Sequence, residues 1–76
     1  MKDYVKVFTT SGVIISKQSI SSLQDLLPEQ NFIRTHSSFI VSLLQIKSYT
    51  NELIEIEKTE VPIGKLFRQN VLKALG

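Results

Sequence analysis

Asn31–Leu44, NFIRTHSSFIVSLL, is the stretch whose pattern decides the fold. Its first half alternates as a strand does, with Phe32, Arg34 and His36 on one face and Ile33 and Thr35 on the other. The polar pair Ser37–Ser38 interrupts the alternation, and Phe39–Leu44 follows as an almost unbroken apolar run. Such a run, rich in β-branched and aromatic residues, predicts a strand buried on both faces. The segment therefore couples a core strand to an exposed tip bearing a cation, a titratable donor and two hydroxyls. That set suits gripping a polyanion better than it suits turnover.

Working outward, Tyr4–Phe8 alternates cleanly, with Tyr4, Lys6 and Phe8 on one face and Val5 and Val7 on the other. Thr9–Gly12 supplies a turn, with Gly12 available for positive φ, and Val13–Lys17 returns as the second strand of a hairpin. Ser19 is placed to cap a short helix, with Ser21 and Gln24 as an alternative capping box one turn in. Ile20, Leu23 and Leu27 form its apolar stripe and Pro28 stops it. Beyond the central segment the pattern predicts strands over Gln45–Thr50 and Leu53–Glu57, the latter with Ile54 and Ile56 facing inward. A turn at Lys58–Glu60 and a strand over Glu60–Ile63 come next, with Pro62 marking an edge position. Gly64 ends that strand, and Lys65–Leu75 predicts a C-terminal helix with Phe67, Val71, Ala74 and Leu75 on one side. The expected fold is mainly β, in small antiparallel sheets, with a short helix after the first hairpin and a helix at the C-terminus.

Seventy-six residues make one small domain, which buries only about 60% of the surface its unfolded chain exposes. The absence of cysteine excludes a disulfide framework and a thiolate metal site, and a single histidine excludes a multi-histidine site within one chain. No stretch approaches the roughly 20 apolar residues of a membrane span, so a cytoplasmic domain is expected. The net charge is only +2, but its distribution is uneven. Glu52, Glu55, Glu57 and Glu60 crowd together, while Lys2, Lys6, Lys17, Arg34, Lys47, Lys65, Arg68 and Lys73 lie outside that block. A molecule of this kind has the means to turn a positive side to nucleic acid and an acidic side to solvent; solvated faces of an ordinary domain are the alternative.

The segment Phe32-Ile-Arg34-Thr-His36-Ser-Ser38-Phe39-Ile-Val41 resembles the signature of the LytTR-type DNA-binding domain, the output module of many bacterial response regulators. That signature runs F-x-R-x-H-x-S-[FY]-[IVL]-[VI]-N-L, and Ser42 stands where the family usually has Asn. Weaker echoes cover Asp3-Tyr4-Val5, Ser19 to Pro28, and Val61-Pro62-Ile63-Gly64-Lys65 with Arg68. The resemblance implies that loops enter the DNA grooves, from before the first hairpin, after the R-x-H strand and at the last strand-to-helix junction. Carried over by position, these base-contact candidates are Tyr4, then His36 and Ser37, then Lys65. Lys2, Lys6, Arg34, Ser38, Lys47 and Arg68 are the phosphate candidates. Lys65 replaces the arginine of many members, exchanging a bidentate fork for a point charge. The resemblance also implies an upstream receiver domain, binding as a homodimer on repeated half-sites, and an N-terminally clipped domain in which the partner strands of Tyr4–Phe8 are missing.

Other chemistries find little support. His36 beside Ser37 and Ser38 lacks a nearby orienting carboxylate in sequence, and there is no G-x-S-x-G, phosphate loop or metal-ligand spacing. No enzyme, cofactor or small-molecule substrate is expected. His36 as a core histidine and Arg34 as the partner of a glutamate remain open readings of those residues taken alone. The alternative function is a small β-rich protein-interaction module.

Overall fold

The computed structural model describes residues 4–28, 30–57 and 59–75. The first hairpin joins β1 (Val5–Thr9) to β2 (Gly12–Ser16), antiparallel, with Val5 opposite Ser16 and Thr9 opposite Gly12. Among the described residues none other than glycine takes positive φ, and the left-handed step of the turn falls on Gly12, at 131°. Thr9 Oγ1 braces the turn by donating to the Gly12 carbonyl at 2.9 Å and accepting the Ser11 N–H at 3.1 Å. Helix α1 (Ile20–Leu26) begins where expected: the Ser19 hydroxyl accepts the Ser22 N–H at 3.2 Å. A helix this short does not hold in water by itself. It is held because Ile20, Leu23 and Leu27, with Phe32, pack on Val5, Val7 and Ile40 of the sheet.

The central segment forms β3 (Phe32–His36) and β4 (Phe39–Ser42). With the hairpin they make a four-stranded sheet in the order β2-β1-β4-β3. This sheet is mixed rather than antiparallel throughout, because β1 and β4 run parallel, Val7 opposite Ile40. Nor does Tyr4–Phe8 lack partner strands: β1 has β2 on one edge and β4 on the other. The apolar run does not continue as strand to Leu44. Ile40, Val41 and Ser42 are buried, but Leu43–Gln45 is a 3₁₀ turn and Leu44 stands 83% exposed.

The faces of β3 also depart from the expected alternation. Arg34 pairs with Ile40 but His36 pairs with Phe39, so one extra residue is accommodated between them. This bulge reverses the alternation. Arg34 shares the side of Ile40, towards α1, whereas His36 is carried to the side of Phe39.

The remaining strands are β5 (Ser48–Tyr49), β6 (Leu53–Ile56) and β7 (Thr59–Pro62), in that order across a three-stranded sheet. The strand expected over Gln45–Thr50 shrinks to Ser48–Tyr49. Of the turn expected at Lys58–Glu60, Thr59 and Glu60 belong to β7, and Lys58 lies outside the described residues. Pro62 sits on edge strand β7, where its missing N–H costs no interior ladder bond. The C-terminal helix starts with a 3₁₀ turn, Lys65–Phe67, before α2 (Arg68–Leu75). Ile54, Ile56, Val61, Ile63 and Val71 close against Phe8 and Val41, with Phe67 and Leu75 at the margin; Ala74 is exposed. The larger sheet is thus covered by α1 on one face and by the smaller sheet with α2 on the other.

Glu55 lies directly opposite Glu60 across β6 and β7, and both are exposed. Like charges facing each other on a sheet are unfavourable by a few tenths of a kcal/mol or more. Glu60→Lys is therefore expected to raise the melting temperature by roughly 2 °C in a thermal melt at low salt. An unchanged or lower value would show that the pair carries no strain.

Candidate nucleic-acid interface

The first arm of the site is built by the bulge. His36, turned to the side of Phe39, lies with its ring centroid 5.0 Å from that of Phe39, tilted by 38°. The Ser38 backbone N–H donates to His36 Nδ1 at 3.2 Å, and the Ser37 hydroxyl lies 3.4 Å from the same nitrogen. A backbone amide only donates, so Nδ1 is the acceptor and the neutral ring carries its proton on Nε2. The imidazole is half-buried rather than free at a tip, yet it offers an N–H donor suited to the acceptors of guanine or thymine in a major groove.

The second arm comes from the end of β7. Buried Ile63 anchors it, its N–H donating to the Glu52 carbonyl at 2.8 Å. The Gly64 N–H donates to the Thr35 carbonyl at 2.7 Å, which docks this junction on β3. A side chain at Gly64 would have its Cβ 3.1 Å from Phe67 Cδ2 and 3.6 Å from His36 Cδ2. The tight contact is with Phe67, so the glycine makes room for that ring, while the imidazole lies at ordinary van der Waals distance with the edge adjoining Nε2 towards the junction. Lys65 follows directly and is exposed. In a 3₁₀ turn, side chains three apart eclipse, which keeps Lys65 and Arg68 in line. Arg68 is half-buried, and its Nε finds no hydrogen-bond partner among the described residues.

The third arm is the start of the hairpin. The Lys6 N–H donates to the Ser38 carbonyl at 2.9 Å, bringing the beginning of β1 beside the Ser37–Ser38 turn. Tyr4, Lys17, Ser19, Ser37 and Ser38 line one open depression of about 490 Å³. Lys17 Nζ stands 5.8 Å from the centre of the Tyr4 ring. Lys17 is the residue that sequence reasoning left out of the site. Its signal was present, because a register pairing Val5 with Ser16 sets Tyr4 opposite Lys17.

Tyr4, Lys6, Lys17, His36, Ser37, Ser38 and Lys65 therefore gather at one end of the molecule. Lys47 does not join them. Its N–H donates to the Glu55 carbonyl, and Ser48 pairs with Glu55, which sets Lys47 towards the opposite end of the small sheet from Gly64. Lys2 lies outside the described residues. Arg34 is half-buried, and its partners among the described residues are Gln24, the His36 carbonyl and the Phe67 ring rather than a glutamate. Among the described residues no group of three or more His, Cys, Asp or Glu side chains is arranged to hold a metal ion. Among the described residues no helix is long and apolar enough to cross a membrane.

Neither the comparison with curated proteins nor that with solved structures found a match. The model of the LytTr DNA-binding domain family matches residues 1–76. With the signature residues of β3 and β4 in place and the match running over the whole chain, this protein belongs to the LytTr DNA-binding domain family.

Proposed function

We propose that the domain reads duplex DNA by sequence, as the output domain of a two-component response regulator acting as a homodimer on repeated half-sites. His36 Nε2–H and Ser37 read base edges, with Tyr4 and Lys65 at the flanks. Lys6, Lys17, Ser38 and Arg68 hold phosphates. Phosphorylation of an upstream receiver domain sets the population of the binding-competent dimer. One contact carries the reading: the 2.7 Å hydrogen bond from Gly64 N–H to the Thr35 carbonyl, which ties the imidazole segment to the Lys65 junction. Two separate loops reaching a groove together need such a tie.

Phosphate binding releases counterions, so log K falls with log[salt] by about 0.9 for each phosphate neutralised. The four cations Lys6, Lys17, Arg68 and the flanking Lys65 predict a loss of roughly 100-fold between 50 and 200 mM salt, Ser38 adding a hydrogen bond but no charge. Fluorescence anisotropy on a randomised duplex pool, and on the sequence the protein enriches from it, measures this directly. Binding that is absent at low salt, or indifferent to salt, refutes the proposal.

A protein-interaction module has one observation in its favour. Edge strand β2 leaves Val13, Ile14 and Ile15 more than half exposed, without a charge or proline inside the strand to blunt pairing. Strand pairing through such an edge is apolar and backbone-driven, so the same salt titration separates the two readings.

A further inference from the structure

Arg34 leaves β3 on the α1 side of the sheet, yet its head group returns to both arms of the site. Its Nε donates to the His36 carbonyl at 3.3 Å. Its Nη1 donates to Gln24 Oε1 on α1 at 3.3 Å. The guanidinium lies 4.7 Å from the centre of the Phe67 ring. Phe67 closes the 3₁₀ turn that begins at Lys65, its N–H donating to the Gly64 carbonyl at 3.0 Å. One side chain thus touches the backbone of the imidazole segment, the turn behind Lys65, and the helix on the other face of the sheet.

We infer that Arg34 is a positioning residue for DNA recognition: it fixes the His36–Ser38 loop and the Gly64–Phe67 junction relative to each other instead of neutralising a phosphate. The inference rests on the reading that these two segments meet DNA. The Gly64–Thr35 hydrogen bond and the neighbouring His36 ring edge both meet the junction at one residue, Gly64, and so hold it at one place. The Arg34–Phe67 stack supplies a second point. Base readout tolerates errors of only about 0.5 Å, so the second point matters for sequence preference more than for affinity. The chemistry requires arginine. A planar guanidinium stacks on a ring while donating in its own plane in two directions, which an ammonium does not do. Swinging out to a phosphate would give up the stack and leave the half-buried His36 carbonyl without this donor.

Arg34→Gln, Arg34→Lys and Phe67→Leu separate a positioning role from a phosphate contact. Each is titrated with the randomised duplex pool and with the duplex that the wild-type chain enriches from it, at several salt concentrations. All three are expected to lose about tenfold or more of the preference for the enriched duplex while the salt slope stays at its wild-type value. Arg34→Gln combined with Phe67→Leu is expected to lose little beyond Arg34→Gln alone, because Arg34→Gln already removes the contact between the two arms that Phe67→Leu removes. A phosphate contact predicts the reverse: Arg34→Lys nearly wild type, Arg34→Gln with a slope lower by about 0.9 and preference intact. That pattern, or a Phe67→Leu chain that keeps full preference, overturns the assignment. Phe67→Leu keeps every charge and an apolar side chain, so it decides the matter even where an Arg34 variant fails to fold. A wild-type chain that binds no duplex overturns the reading of the site and this inference with it. Selective wild-type binding with unaffected variants overturns this inference alone.

Discussion

Ile54→Ala is expected to leave the domain largely unfolded at 37 °C. Ile54 is fully buried at the centre of β6, facing Phe8 and Val41 across the gap between the sheets and meeting Val61 and Val71. Removing a buried isoleucine down to alanine costs about 2–5 kcal/mol, the transfer term plus the cavity left behind. A domain of this size has roughly 5 kcal/mol in total to lose, and without cysteine it has no disulfide to limit the damage. A thermal melt followed by circular dichroism reads the outcome, and Leu44→Ala is the control. Leu44 is as apolar but exposed, so its truncation is expected to change stability by less than about 0.5 kcal/mol. If the Ile54 variant melts within a few degrees of the wild type, the cluster between the two sheets is not the main core.

The second large effect concerns recognition. His36→Ala is expected to reduce preference for the enriched duplex by about 5- to 150-fold, the range for losing one good base contact, with the salt slope unchanged. Lys65→Ala is expected to weaken all duplexes alike and to lower the slope by about 0.9, as loss of one phosphate charge does. The divergence follows from the two side chains. The imidazole has its proton assigned to Nε2 by the Ser38 amide, which gives a directional donor. The ammonium is a compact charge on a flexible stem, without the planar fork that would fix it on guanine. Equal losses on every sequence from both substitutions would sink the division of labour between them.

Much of the architecture follows from local rules that the chain states openly. Ser19 before a short apolar stripe ending at Pro28 is a capped and terminated helix in any context. Gly12 supplies the one positive φ that the turn between β1 and β2 needs. Ile54 and Ile56 alternate with Leu53 and Glu55, and Pro62 belongs on an edge. The family resemblance rests on consecutive residues in β3 and β4, so it too needs no coordinates.

Pairing over long distances was decided elsewhere. Phe39–Leu44 is apolar throughout except for Ser42, yet the strand stops at Ser42, because the sheet partners of β4 reach no further than Phe8 on one side and Phe32 on the other. Past that point the chain turns and Leu44 meets solvent. Arg34 and His36 are two apart and read as neighbours on one face, but the bulge sends them to opposite sides. Nothing between residues 32 and 36 encodes the bulge by itself. It depends on the register against β4 and on the Gly64 amide that occupies the Thr35 carbonyl.

The sequence alone determined the first hairpin, α1, the alternation of β1 and β6, the C-terminal helix and the family, because these depend on residues within a turn or a strand of one another. Only the tertiary structure decided that Lys17 joins Tyr4 and the Ser37–Ser38 turn, that Lys47 stays apart, and that Arg34 binds its own chain. Those outcomes depend on which strands lie side by side, and that is settled by burying Val5, Val7 and Ile40 under one helix and Phe8 and Val41 under the second sheet.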